Sequence, residues 1–217
     1  IQGFDFDLTA AGATDAITGY KTGTYSYSHN IYIKDSTFTG DAGFGDVAVR
    51  APSMGGHYNY VLENLTATSM HSLGQFTGVS LVTVKKCTVS GGKSGLNLVG
   101  SNGDVDNLSY SGISYGVRTD TDLTIKNSTL ISSGDANDLA DPDTAIVLRT
   151  DTVKTITIEN SSIQNSISGN YAISNSTSSP TEKVTLVITS VDTGAGSFDT
   201  DLLGGFGPVI LVHDIDG

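Results

Sequence analysis

Two short motifs place an arginine two residues before an aspartate. Arg118-Thr119-Asp120-Thr121 recurs as Arg149-Thr150-Asp151-Thr152, and with Arg50 these motifs hold every arginine of the chain. A guanidinium group binds a carboxylate through two parallel hydrogen bonds. Arginines beside aspartates on one exposed sheet therefore predict either a binding site for an acidic sugar or an ion-pair ladder between strands. We take the arginine and the aspartate of each motif, together with Arg50, as candidate substrate-binding residues.

Tyrosine is concentrated in the first 60 residues, which hold six of the nine: Tyr20, Tyr25, Tyr27, Tyr32, Tyr58 and Tyr60. Exposed aromatic rings offer a stacking surface, for example to sugars, whereas buried rings fill a core. The alternation of the surrounding sequence points Tyr60 inward and Tyr32 outward. Tyr32 therefore joins the candidate substrate-binding residues.

The segment 134–143 concentrates four aspartates. Calcium prefers such clusters of oxygen ligands, but the segment lacks the central glycine and the terminal glutamate of an EF-hand loop. It is either a solvated acidic loop or a calcium site of another kind. No other metal or cofactor is predicted.

The familiar catalytic motifs are missing. The sequence has no H-E-x-x-H, no P-loop, no Gly-x-Ser-x-Gly and no pair of cysteines or histidines at ligand spacing. The single cysteine, Cys87, shares a repeat position with leucines and serines, which favours a small buried packing residue over a nucleophile. We assign no catalytic residue.

Composition and charge narrow the class of partner. The formal net charge of −12 disfavours nucleic acid and anionic membrane surfaces. No apolar run reaches membrane-spanning length, so no membrane insertion is expected. An acidic, lysine-poor surface is typical of secreted bacterial and viral proteins. Abundant Gly, Ser, Thr, Asn and Asp favour many short strands joined by tight turns.

A loose repeat runs through most of the chain, as in Ile31-Tyr32-Ile33-Lys34 and Leu123-Thr124-Ile125-Lys126. At its fourth position the charge alternates in sign: Asp7, Lys34, Glu63, Lys85, Asp106, Lys126 and Glu159. Neighbouring strands lie roughly 4.8 Å apart, where opposite charges attract and like charges repel. The alternation predicts that successive repeats stack in register, with Lys34 between Asp7 and Glu63.

Further columns follow the charge. A polar corner is predicted at Asp35, Asn64, Lys86, Asn107, Asn127 and Asn160, because Asn and Asp tolerate left-handed turns. Next come a column of small or apolar residues that includes Cys87, then a hydroxyl column: Thr37, Thr66, Thr88, Ser109, Thr129, Ser162 and Ser190. An outward threonine column (Thr83, Thr124, Thr157 and Thr185) resembles the arrays of ice-binding solenoids, but Tyr32, Val61 and Asp104 interrupt it, so β-propensity explains it better.

The pattern I-x-I-x-N-x-T-I, seen at Ile125, Asn127, Thr129 and Leu130, resembles that of the right-handed parallel β-helix proteins of the pectate-lyase-like superfamily. The resemblance covers Phe4 to about Val191. It implies an all-β, single-domain solenoid of about eight coils. Residues 1–191 would form the stacked coils, and residues 192–217 the last strand, near Pro208–Val212, and the C-terminal end of the same solenoid.

The resemblance leaves three functions open. The one we expect is an extracellular, cell-surface or virion-surface module, adhesin-like, that binds a polysaccharide or surface glycan without catalysis. The first alternative is a tailspike-like polysaccharide lyase or glycoside hydrolase acting on an acidic polysaccharide, although the catalytic residue sets of such enzymes do not map onto this chain. The second alternative is a structural stalk or assembly segment, as an oligomer or as a piece of a larger protein.

Overall fold

The computed structural model of the chain is built from β-strands alone in the part that it describes. That part comprises residues 1–9, 15–19, 28–41, 45–53, 57–134, 144–149, 154–167, 171–175 and 184–192, with the strand backbones at 203–204 and 209–214. In chain order the strands are β1 (Asp5–Asp7), β2 (Asp15–Thr18), β3 (His29–Thr39), β4 (Val47–Ala51), β5 (Tyr58–Thr68), β6 (Ser72–Thr77), β7 (Leu81–Gly92), β8 (Ser94–Val99), β9 (Asn102–Gly112), β10 (Val117–Thr119), β11 (Leu123–Lys126), β12 (Thr129–Ser132), β13 (Ile146–Leu148), β14 (Lys154–Asn165), β15 (Ile173–Asn175), β16 (Val184–Asp192), β17 (Leu203–Gly204) and β18 (Val209–Asp214).

The strands form two parallel sheets, and the chain alternates between them. The first sheet has the order β1-β3-β5-β7-β9-β11-β14-β16-β18, with β12 beside β9 and β14. The second has the order β17-β15-β13-β10-β8-β6-β4-β2. Strands β11 and β12 together occupy the place of one long strand, since both pair with β9 and β14. The predicted all-β class with stacked parallel strands is confirmed, and the topology is compatible with a β-helix.

The charge column is confirmed from Lys34 to Glu159. Lys34 pairs with Glu63 across β3 and β5, and the register continues through Lys85, Asp106, Lys126 and Glu159. The Nζ atom of Lys34 lies 2.5 Å from Oε2 of Glu63, and Nζ of Lys126 lies 3.1 Å from Oε2 of Glu159. The hydrogen bond from Lys34 holds the pKa of the Glu63 carboxyl below its usual value.

The predicted position of Asp7 at the start of this column is wrong. Asp7 pairs with Thr39, and Gln2 bridges to Lys34 instead. The first repeat interval is therefore 32 residues, as between Asp5 and Thr37, rather than the predicted 27.

Aromatic packing explains this register of β1. The ring of Phe6 stacks on the ring of Phe38, with centroids 4.9 Å apart and planes 2° from parallel. Phe4, two residues earlier on the chain, is 54% exposed. The short alternation in β1 fits two registers, and the stacked pair selects the observed one.

A similar shift occurs at β16. The predicted hydroxyl column places Ser190 beside Ser162, whereas Asp192 is the partner of Ser162. Ser190 therefore leaves the predicted hydroxyl column and adopts the positive φ of the corner, at 52°.

The polar corner itself is confirmed. All six predicted residues have φ between 46° and 60°: Asp35, Asn64, Lys86, Asn107, Asn127 and Asn160. This left-handed conformation is unfavourable by about 1–2 kcal/mol for most L-residues. The penalty is smaller for Asn and Asp because their short side chains hydrogen-bond to nearby backbone groups. Amides also join neighbouring corners: Nδ2 of Asn64 donates to Oδ1 of Asp35 at 2.7 Å.

The column after the corner lies in the core. Cys87 is 1% exposed, and burial raises the pKa of its thiol to about 11. Its Sγ contacts the carbonyl oxygen of Lys85 at 3.4 Å, and the hydroxyl of Ser128 donates to the carbonyl of Lys126 in the same way at 2.6 Å. The prediction of a buried packing cysteine is confirmed.

Candidate functional site

A row of polar side chains crosses the second sheet at one register position. Arg50 on β4 pairs with Gln75 on β6, Gln75 with Asn97 on β8, and Asn97 with Arg118 on β10. We call these four residues the arginine–amide row. The row alternates with core residues on either side, such as Val49 and Ala51, so its side chains leave the sheet on the face away from the core. Across three strand spacings it extends roughly 14 Å.

Arg50 anchors one end of the row. Its Nε lies 2.8 Å from Oδ1 and 2.9 Å from Oδ2 of Asp15 on β2, and its Nη1 donates to Oε1 of Gln75 at 2.7 Å. The Arg50 side chain keeps 32% of its surface exposed. The guanidinium is therefore held in place while part of it still faces solvent.

Arg118 anchors the other end. Its Nε donates to Oδ1 of Asn97 at 3.0 Å, and its guanidinium carbon lies 4.8 Å from the ring centroid of Tyr115. Tyr115 is buried at 8% exposure and so forms a fixed platform under the cation. A planar guanidinium held on such a platform is suited to bind a carboxylate or sulfate through two hydrogen bonds.

More titratable groups lie beside the row. His71 directly precedes β6, and burial, followed by the charges of Lys93 and Arg50, lowers the pKa of its imidazole. Arg118 acts on His71 in the same direction, so His71 lies within the combined field of these cations. Asp46 opposes them; it is 4% exposed, and burial raises the pKa of its carboxyl. Arg50, Lys93 and Arg118 therefore act on the same imidazole, while Asp15 pairs with Arg50.

The two Arg-Thr-Asp-Thr motifs are not equivalent in the structure. Arg118 lies within β10 and pairs with Val147, so Arg149 is two positions further along and follows the end of β13. The backbone N–H of Arg149 donates to the carbonyl of Thr119 at 2.8 Å. Although the motif is repeated in the sequence, β10 includes Arg118 whereas β13 ends before Arg149.

Asp120, the aspartate of the first motif, binds a backbone amide. Oδ1 of Asp120 accepts a hydrogen bond from the backbone N–H of Gly100 at 2.6 Å. Gly100 has a φ of 56°, so Asp120 stabilises a turn of the preceding repeat. Asp151 lies outside the described residues, and its role stays a prediction.

Tyr32 lies on β3 of the first sheet, whereas the arginine–amide row lies on the second. Its side chain is 49% exposed, as predicted for an outward position, and the Nζ of Lys34 lies 5.5 Å from its ring centroid. The structure therefore brings Arg50 and Arg118 into one row and leaves Tyr32 on another surface.

The calcium prediction covers residues 134–143, of which 135–143 lie outside the described part of the chain. Among the described residues, no three His, Cys, Asp or Glu side chains are grouped so that they could hold a metal ion. Within the same ranges, no helix has the length and apolarity needed to cross a bilayer.

Sequence reasoning missed Gln75, Asn97 and Tyr115. A signal for Asn97 was present, since Leu96-Asn97-Leu98 has the same apolar-polar-apolar alternation as Val49-Arg50-Ala51. Gln75 follows Gly74, and this glycine hides the alternation. The ring of Phe76 occupies the space there, so that a Cβ on residue 74 would lie 2.4 Å from Cε2 of Phe76.

Comparisons with known proteins give no relative. No protein family, no curated protein and no solved structure matches this chain.

Proposed function

We propose that this chain is a right-handed parallel β-helix that binds an acidic polysaccharide or surface glycan along the arginine–amide row, outside the cell or on a virion surface. The observation that carries the proposal is the alignment of Arg50, Gln75, Asn97 and Arg118 on four consecutive strands. The row is a continuous set of hydrogen-bonding groups with a cation at each end.

The sheet topology supports this proposal because neighbouring parallel strands place the four residues of the row side by side. Two parallel sheets visited in alternation, with a positive-φ corner at the same place in successive strands, are what a coiled chain of this kind requires. Crossovers between parallel strands are right-handed in about 98% of cases. Stacked coils repeat each outward position at roughly 4.8 Å, which suits a ligand that is itself a linear polymer.

The chemistry of the row favours an anionic ligand. A guanidinium group has five N–H donors, of which Arg50 directs Nε to Asp15 and Arg118 directs Nε to Asn97. The amides of Gln75 and Asn97 add donors for sugar hydroxyls between the two cations. Binding without chemistry is the form we propose, because the sequence assigns no catalytic residue.

Affinity measurements on soluble polymers test the proposal. Polygalacturonate and alginate are the probes, with dextran as the uncharged control, measured by calorimetry on the full chain. We expect binding to the uronic acid polymers, and Arg118→Ala should weaken it about tenfold, the loss of one charge-assisted hydrogen-bonded contact.

Arg149→Ala is the matched control, since it removes an exposed arginine that lies off the row. We expect it to leave affinity nearly unchanged. Urea midpoints of both variants establish that they are folded. Equal weakening by both variants, or no binding to either uronic acid polymer, would refute the row as the binding site. Unsaturated or newly reducing products would replace the non-catalytic form with the lyase or hydrolase.

A further inference from the structure

A second surface carries an ordered array of hydroxyl groups. It consists of the outward residues of the strand segments that follow the corner on the first sheet, and we call it the hydroxyl face. One column is Thr37, Thr66, Thr88, Ser109 and Thr129, and the parallel column is Thr39, Thr68, Ser90, Ser111 and Ile131. Nine of these ten side chains bear a hydroxyl group.

The array has a constant geometry. Both columns keep the same pairing through β3, β5, β7, β9 and β12. Hydroxyl-bearing side chains are therefore spaced roughly 4.8 Å across strands and about 6.7 Å, two residues, along each strand. A surface of this kind is a two-dimensional lattice rather than a single line of contacts.

A packed core fixes the lattice from below. The residues between the two columns point inward and are no more than 1% exposed: Phe38, Ala67, Val89, Tyr110 and Leu130. Close-packed interiors resist displacement. Threonine adds its own restriction, because branching at Cβ limits the rotation of χ1.

The hydroxyls of this face are available to a partner. Thr37 donates to Asp5 on β1. No other hydroxyl of the two columns makes a hydrogen bond to any residue in the part of the chain that the structure describes. Inward hydroxyls behave differently, since Ser36, Ser128 and Ser161 each donate to a backbone carbonyl.

Charge selects the kind of partner. From β3 to β12 neither column contains a charged residue, although the chain has a net charge of −12. Along the two columns, carboxylates appear beyond the ends of the array, at Asp5 and Asp7 on β1 and at Asp192 on β16, and the corner beside the array carries Asp35 and Lys86. An uncharged partner with a regular two-dimensional repeat is complementary to this surface, whereas an ionic polymer is not.

We propose that the hydroxyl face binds ice. Oxygen atoms on a prism face of ice repeat on a two-dimensional lattice whose spacings are close to those of the hydroxyl face. Rigid hydroxyls can take the places of lattice oxygens, and the threonine methyl groups exclude loosely held water between them. The outward threonines at 83, 124 and 157 form no such array, because Val61 and Asp104 break their column.

Thermal hysteresis and ice recrystallisation test the proposal on the full chain. We expect the wild-type protein to shape ice crystals and to show hysteresis. Thr88→Tyr, at the centre of the face, should reduce both to the level of a buffer control, because the larger ring lifts the surface off the lattice. Thr83→Tyr is the matched control: it lies on the same strand, before the corner, and should retain both effects.

Urea midpoints of both variants show that each is folded, and Thr66→Tyr repeats the test one strand away. The proposal is overturned if the wild-type protein neither shapes ice nor slows recrystallisation, or if Thr83→Tyr is as damaging as Thr88→Tyr. It is also overturned if the face instead binds crystalline cellulose or chitin, with loss in Thr88→Tyr and no effect on ice. Arg118→Ala should leave ice binding intact, which separates this surface from the arginine–amide row.

Discussion

Removing the hydroxyl group from each of two buried tyrosines should change stability in opposite directions. Tyr60 is 1% exposed and packs edge-on against Phe76, with centroids 5.2 Å apart, but its hydroxyl has no hydrogen-bond partner within the described residues. Tyr110 is 0% exposed, and its hydroxyl donates to the carbonyl of Lys93 at 2.9 Å. Tyr60→Phe therefore removes an unpaired hydroxyl group, whereas Tyr110→Phe removes one that is hydrogen-bonded.

Burying a hydroxyl without a partner costs about 1–3 kcal/mol, whereas a typical hydrogen bond contributes about 1 kcal/mol net. We expect Tyr60→Phe to raise the free energy of unfolding by about 1 kcal/mol. Tyr110→Phe should lower the free energy of unfolding by about 1 kcal/mol. The loss is no larger because the Lys93 carbonyl still accepts a hydrogen bond from the Ser114 N–H at 2.8 Å.

Urea unfolding followed by circular dichroism measures both changes as shifts in midpoint at constant m-value. Alkaline pH gives an independent reading. Burial raises the pKa of Tyr60 from 10.0 to about 12. The unfolded chain then loses a proton that the native state keeps, so this contribution to stability falls as pH rises from about 10 to about 12. Tyr60→Phe should remove that part of the alkaline loss. Destabilisation by Tyr60→Phe of the same size as by Tyr110→Phe would refute the reasoning.

Four further predictions concern the corner, the charge column, the thiol and the row. Asn127→Ala should lower the free energy of unfolding by about 1 kcal/mol or more, because alanine is strained at a φ of 49°, and Asn127→Gly should lose less in the same urea assay. Lys34→Glu places like charges beside Glu63, so its urea midpoint should fall, and the deficit should shrink at about 1 M NaCl, where the Debye length is about 3 Å. Cys87 should react with a thiol reagent only as the chain unfolds, because it is buried and its thiol has a raised pKa. Affinity for an anionic glycan should rise as pH falls below 6.5 and His71 gains a proton beside the row, and calorimetry on His71→Asn should show a flatter pH dependence.

The parts of the fold that the sequence predicts correctly are those in which two independent signals coincide. The charge at Lys85 alternates with its neighbours, and the residue that follows it occupies a corner with a φ of 52°. Lys86 shows that the register outweighs the residue type. Lysine rarely adopts a left-handed conformation, yet Lys86 occupies the corner because the residue columns on both sides fix its position. Asn107 and Asn127 add the expected residue type at the same position.

The candidate site was predicted only in part because its strands carry less information. Strand β10 has three residues, Val117–Thr119, and so offers a single alternation and no corner. The repeated Arg-Thr-Asp-Thr motif suggested that Arg118 and Arg149 are equivalent, but the register places Val147 beside Arg118. Two copies of a sequence motif need not share a register when no corner fixes the end of the strand.

The difference between the predicted and the observed register of β1 shows what sets the register in this chain. Alternating charges alone would place Asp7 beside Lys34, a pairing of exposed groups worth little in water. Stacking of Phe6 on Phe38 buries aromatic surface, and it is Gln2, a neutral residue, that bridges to Lys34. Core packing and the corner therefore determine the register. The charged residues occupy the surface positions that this register defines. By this argument the alternation in sign from Lys34 to Glu159 excludes wrong registers, in which like charges would meet, more than it stabilises the observed one.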